Sequence, residues 1–146
     1  RQDFDDTMKT NVYAPFWLTK AALEKMGPGA VIVNTSSEQA GDPSKDIVDY
    51  AMTRAAVLNF TKGMAKQLAS RGIRVNAVAP GPFWTPLQVS GGATPEKQRT
   101  FGASAPLGRP GQPAEIAALY VAAADPALSF STGQIFGASG GNGQPA

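Results

Sequence analysis

Two short apolar runs rich in β-branched residues, 30–34 and 73–78, are separated by a long helical stretch. Strands joined through a helix, with no tight turn between them, run parallel in one sheet. A third run, 134–136, follows another helical stretch. The helical stretches are 3–26, ended by Gly27-Pro28; 46–70, ended near Gly72; and 113–124, opened by Pro113 with Glu115 behind it. A shorter helix starts at Thr94-Pro95-Glu96. Helix and strand alternate along the chain, which predicts an α/β fold of about three parallel strands with flanking helices. No internal repeat is visible.

Composition narrows the chemistry. The 146 residues include no cysteine and no histidine. Disulfides, thiolate metal sites and a Ser-His-Asp triad cannot be built from them. Proton transfer then falls to Tyr, Lys, Arg, Ser or carboxylates. Thirteen Lys+Arg against eleven Asp+Glu leave a net charge of +2, with no basic run to hold nucleic acid. No apolar run approaches the ~20 residues of a membrane span. The first ten residues carry three aspartates and no signal-peptide core. A soluble, cytoplasmic protein is expected, without nucleic-acid or membrane partners. Arg1 stands where a complete chain has Met, so the expectation is a piece of a longer protein.

Several residues could carry chemistry. Tyr50 and Arg54 share a helix face at i and i+4. A phenol ionises near pH ~10, and a neighbouring positive charge favours the ionised form. The same pair also occurs as plain surface packing. Ser37 lies just past the first strand, where open α/β sheets place ligands, and could donate to a substrate oxygen or simply cap a turn. Pro15 has no N–H to give the carbonyl of Asn11, so the first helix should kink there. Asn11 is then either an acceptor that orders a water or part of a tolerated kink. The stretch 80–113 holds seven of the twelve prolines together with Phe83, Trp84 and Phe101, which favours a binding loop over a plain surface loop.

Together these residues resemble the short-chain dehydrogenase/reductase family. The order Asn11, Ser37, Tyr50 and an i+4 cation is similar to its tetrad, and the Ser-to-Tyr spacing is the family's usual one. Residues 50–56 look like its YxxxK helix, and 76–85 like its proline–glycine cofactor loop. Leu107-Gly108-Arg109-Pro110-Gly111, Glu115, Thr132-Gly133 and Gly140-Gly141 resemble its C-terminal pattern. The flavour is closest to the general-stress, glucose-dehydrogenase-like branch.

The resemblance implies a Rossmann-like doubly wound parallel sheet, of which residues 1–146 form the C-terminal, catalytic half. Residues 80–113 would be the substrate and cofactor loop within it. The function implied is an oxidoreductase moving a hydride between NAD or NADP and an alcohol or ketone. Tyr50 would be the acid–base residue, Ser37 would polarise the substrate oxygen and Asn11 would support a relay water. Arg54 would hold the nicotinamide ribose. Tyr50, Arg54, Pro80, Gly81, Phe83 and Thr85 would contact the cofactor. Ser37, Gln39, Trp84 and Leu87 would contact substrate. No metal is implied. The helices 3–26 and 46–70 are the family's usual dimer surface, so a homo-oligomer, dimer or tetramer, is expected.

Two departures matter. Arg54 stands where the family has lysine, and an arginine cannot give up a proton, so weak or absent activity is expected. The glycine-rich phosphate loop has no counterpart: the cluster 137–143 follows a strand, but no helix follows it to receive a pyrophosphate. NAD or NADP would therefore bind weakly to this stretch alone. As a sheet edge, 30–34 is short, apolar and uncharged, and self-association is expected. Two rivals remain: a non-catalytic fragment keeping fold and oligomer contacts only, and a binding module built on the Phe83/Trp84 loop.

Overall fold

The computed structural model describes residues 2–91 and 93–143. Arg1, Gly92 and residues 144–146 lie outside the described residues, so the outermost ends of the expected domain do too. Strands β1 (Val31–Thr35), β2 (Arg74–Pro80) and β3 (Ile135–Ala138) form one parallel sheet in the order β1-β2-β3. The helices are α1 (Gln2–Met8), α2 (Ala14–Ala22), α3 (Val48–Leu68), α4 (Pro86–Ser90), α5 (Pro95–Thr100) and α6 (Pro113–Ala124). This is the expected Rossmann-like arrangement of three parallel strands with flanking helices. Every connection is a crossover because parallel neighbours cannot be joined by a hairpin.

β2 is the central strand, and Val75 to Ala79 are all buried. Ile73, Val75, Ala65 and Leu68 form a core cluster, with Leu23, Met26, Ala30, Ile32 and Met64 packed against it. Burial of these side chains is the main stabilising term, roughly 1.5–3 kcal/mol for each large aliphatic side chain fully removed from water. β1 is an edge strand, and its first four residues are only half-buried. Phe4, Tyr13, Phe16, Trp17 and Leu18 are exposed along the first two helices and the turn between them.

Residues 3–26 do not form the single kinked helix expected. α1 and α2 are joined by a π-helical turn, Lys9–Tyr13, in which the N–H of Ala14 reaches back to the carbonyl of Lys9. Pro15 explains the widened register, since it removes the donor that an α-helical register needs there. Within 80–113 the short helix expected at Thr94-Pro95-Glu96 forms as α5, and α4, which was not expected, precedes it. Thr94 caps α5, its hydroxyl accepting from the N–H of Lys97 at 3.3 Å. No helix among the described residues is long and apolar enough to cross a membrane.

One ion pair anchors the start of α6 to the preceding loop. Arg109 grips Glu115 with two bonds, at 2.9 and 2.8 Å, and the Gln112 N–H donates to the same carboxylate at 2.7 Å. The Arg109 hydrogen bonds, followed by the Gln112 N–H, hold the Glu115 carboxyl down at about 2. A depressed folded-state pKa adds stability above the unfolded value and loses it as pH falls through the folded one. Glu115→Gln should therefore lower the melting temperature relative to wild type at neutral pH. That gap should close between about pH 4.5 and about pH 2. Thermal melts across this range check it, and an equal gap at both ends contradicts it.

Candidate active site

The register pairs Thr35 of β1 with Val78 of β2, so both strands end at the same edge of the sheet. Open parallel sheets bind ligands outside the carboxyl ends of their strands. Ser36 and Ser37 leave β1 there, and Gly81 leaves β2 there. The Ser36 hydroxyl donates to the carbonyl of Arg54 at 2.9 Å, which ties the strand exit to α3. Ser37 is buried, and its hydroxyl accepts the N–H of Gln39 at 3.2 Å, capping a short turn at Glu38–Ala40. A hydroxyl used as an acceptor keeps its own proton to donate.

Tyr50 lies in the first turn of α3, half-buried, and Arg54 one turn later. The guanidinium carbon of Arg54 is 4.8 Å from the centre of the Tyr50 ring, a cation–π contact. Its Nη1 donates to the carbonyl of Thr35 at 3.0 Å, and Nη2 reaches Oδ1 of Asn11 at 3.5 Å. Nε of Arg54 is buried without a partner. Asn11, carried on the π-helical turn, donates through Nδ2 to Thr53 Oγ1 at 3.1 Å, and Thr53 donates to the carbonyl of Tyr50 at 2.6 Å. Asn11, Thr35, Tyr50, Thr53 and Arg54 thus form one connected group. Among the described residues no hydrogen bond joins the Ser37 hydroxyl to the Tyr50 phenol.

The turn after β2 is held tightly. The Gly81 N–H donates to the carbonyl of Ala138 at 2.8 Å, so it is already committed to the sheet. A Cβ at Gly81 would lie 2.6 Å from Ser139 Cα, so no side chain fits there. Phe83 packs its ring on Gly111, where a Cβ would sit 2.4 Å from the ring. Trp84 donates its N–H to the carbonyl of Gly111 at 2.8 Å, and its ring meets Phe101 at 5.9 Å. Pro80 ends β2 opposite Ala138. Thr85 precedes α4 without capping it through its side chain, which leaves its hydroxyl for another partner.

Leu87 is 67% exposed, so most of its side chain lies open to solvent. Gln39 turns its Oε1 to the N–H of Ser44 at 2.7 Å, which shapes the turn that follows. Three polar residues near the site carry no spacing signal in the sequence: Thr53, Glu38, and Tyr120, whose hydroxyl lies 2.8 Å from Thr35 Oγ1.

Comparison with known proteins bears on this arrangement. The family described as enoyl-(acyl carrier protein) reductase matches residues 1–142. The uncharacterized oxidoreductase YghA of Escherichia coli is 50% identical over 140 residues, covering 96% of this chain and 48% of that protein. NADPH-dependent aldehyde reductase 1 of Arabidopsis thaliana is 44% identical over 134 residues, 91% of this chain and 46% of that protein. The chain spans about half the length of the curated relatives it matches. A short-chain dehydrogenase from Burkholderia cenocepacia in complex with NADP superposes with a TM-score of 0.85 at 31% identity, over 96% of this chain and 56% of that one. With the parallel sheet, the tyrosine–cation pair on α3 and a family match that runs almost from end to end, the chain belongs to the short-chain dehydrogenase/reductase family of oxidoreductases.

Proposed function

We propose that this site serves a nicotinamide-dependent oxidoreductase that interconverts an alcohol and a carbonyl compound, with Tyr50 as its acid–base residue. The observation that carries the reading is the joined group of Tyr50, Arg54, Asn11 and Thr35 at the carboxyl ends of β1 and β2. Two further features suit NAD or NADP there. Thr85 keeps a hydroxyl that caps nothing, and Arg54 keeps an Nε without a partner beside Tyr50. Arg54 would hold the ribose, and the turn of Pro80, Gly81, Phe83 and Thr85 would hold the nicotinamide. When bound, the cofactor takes up or supplies the hydride, which is chemistry no side chain can provide.

The chain's own residues do the rest. Ser37 donates to the substrate oxygen and fixes its position. Tyr50 takes the proton from that oxygen in the oxidative direction and returns it in the reductive one. Arg54 braces the tyrosine ring from one side and is itself held by Thr35 and Asn11. Asn11 acts on Arg54 through its side chain, and Thr53 fixes the Asn11 amide. A lysine at position 54 could pass a proton onward, whereas the guanidinium stays charged. In the whole protein, Arg54→Lys should raise kcat about tenfold, a fraction of the roughly 10²–10⁴ that a whole general acid–base step contributes. Steady-state turnover of a short aldehyde measures it, and an unchanged or lower kcat overturns this account of Arg54.

A further inference from the structure

Tyr120 of α6 meets the site from the far face of the sheet. Its hydroxyl shares a hydrogen bond with Thr35 Oγ1 at 2.8 Å. Successive side chains of a strand point to opposite faces. Asn34 turns toward α3, where its Nδ2 donates to Thr61 Oγ1 at 2.9 Å, so Thr35 turns the other way, toward α6. Only the backbone of Thr35 is left for α3, and its carbonyl accepts from Nη1 of Arg54 at 3.0 Å. Thr35 therefore ties α6 to Arg54 through the end of β1. Among the described residues, the Tyr120 bond is the only one that joins α6 to the group of Asn11, Thr35, Tyr50, Thr53 and Arg54.

α6 is a firm post for such a contact. At its start Arg109 grips Glu115 with two bonds. At its end Arg74 and Asn76 of β2 donate to the carbonyls of Ala123, Ala124 and Asp125. The tip of β1 is less secure, since among the described residues β1 pairs with β2 alone. Past Thr35, the Ser36 N–H donates to the carbonyl of Val78 at 2.8 Å and the Ser36 hydroxyl to that of Arg54 at 2.9 Å. The exit is thus held from β2 and from α3, and Tyr120 adds the hold from the opposite face. Without that hydroxyl, Thr35 loses its tie to α6, and the carbonyl that carries the guanidinium can shift. The guanidinium carbon stands 4.8 Å from the centre of the Tyr50 ring, so it moves relative to the phenol when its anchor moves. A displacement of about 1 Å at a reacting group can cost about a hundredfold in rate.

We infer that Tyr120 is a positioning residue of this site: from α6 it holds Thr35, whose carbonyl holds the Arg54 guanidinium against the Tyr50 ring. The inference rests on the oxidoreductase reading of Tyr50 and Arg54. The test measures kcat and KM of the whole protein with reduced nicotinamide and a short aldehyde. Tyr120→Phe and Thr35→Val each remove one side of the same hydrogen bond. Each should lower kcat about tenfold, the upper end of what one hydrogen bond contributes, while KM for the aldehyde stays within about twofold. The double variant should fall no more than about twofold below either single one, because the bond can be lost only once. Thr35→Ser restores the hydroxyl and should recover most of the kcat lost in Thr35→Val. In an Arg54→Ala background, Tyr120→Phe should change kcat less than about twofold, since the residue it acts through is gone. A Tyr120→Phe variant within about twofold of wild type, losses that multiply in the double variant, or a tenfold loss that persists without Arg54 overturns the inference.

No oxidation of nicotinamide by wild type with any aldehyde counts against the oxidoreductase reading instead. Amide hydrogen exchange of the whole protein then still decides whether Tyr120 holds the end of β1. Exchange across residues 36–40 at least about twofold faster in Tyr120→Phe supports the hold, that being the lower end of one hydrogen bond's contribution. Exchange equal to wild type overturns it.

Discussion

Tyr50→Phe in the whole protein should reduce kcat/KM by about a thousandfold or more, since a positioned proton donor contributes roughly 10²–10⁴ to a rate. The fold should survive. Among the described residues the phenol hydroxyl makes no hydrogen bond, and the ring that Arg54 covers at 4.8 Å is retained in phenylalanine. A matched pair of measurements separates chemistry from structure: turnover with an aldehyde and reduced nicotinamide, and the thermal midpoint. Turnover lost with the midpoint held is expected. A variant within about tenfold of wild type in kcat/KM would place the acid–base group elsewhere.

The largest effect on stability is expected at Asn76. It is fully buried in the central strand. Its Nδ2 donates to the carbonyls of Ala123, at 3.1 Å, and Ser131, at 2.9 Å, while its Oδ1 accepts the N–H of Gln134 at 3.1 Å. One amide therefore joins β2 to the end of α6 and to the start of β3. Arg74 supports the same region, donating to the carbonyls of Ala123, Ala124, Asp125 and Ser131. Ala123 and Ser131 thus keep a donor when Asn76 is removed, but the Gln134 N–H loses its acceptor. Asn76→Ala should cost about 3 kcal/mol, combining that orphaned N–H with a small cavity. Asn76→Asp should cost more at neutral pH, because it sets a carboxylate against two carbonyls, and it should recover in acid. Denaturant unfolding of the whole protein measures both. A loss below about 0.5 kcal/mol for Asn76→Ala, the range of an ordinary surface change, would contradict this role.

What the sequence makes legible is what local spacing controls. The first two strands announce themselves as β-branched runs between turn residues and the third as a short apolar run, although β2 and β3 end two residues later than those runs do. Pairing across the sheet sets those ends: Pro80 still faces Ala138, and the Gly81 N–H still donates to it. The disturbance at Pro15 is legible from its missing N–H, but the form it takes is not. A kink and a π-helical turn both relieve the same clash, and packing of Asn11 against Thr53 favours the second. α5 is visible through Thr94 and Pro95, whereas α4 has only five residues and no periodicity to read.

The site divides the same way. Tyr50 and Arg54 are readable because four residues make one helical turn. Thr53 and Tyr120 are not, since their partners Asn11 and Thr35 lie 42 and 85 positions away along the chain. Glu38 looks like an ordinary exposed acid until its Oε2 is seen buried beside Gly81.

The central claim is that Tyr50 serves hydride exchange between a nicotinamide and a carbonyl carbon. Label transfer tests it most directly: the whole protein is given reduced nicotinamide cofactor deuterated at the transferable position, together with an aldehyde, and the alcohol is examined by mass. The account predicts one deuterium on the carbinol carbon with wild type and almost none with Tyr50→Phe. Unlabelled alcohol from wild type, or equal labelling by the variant, would contradict it.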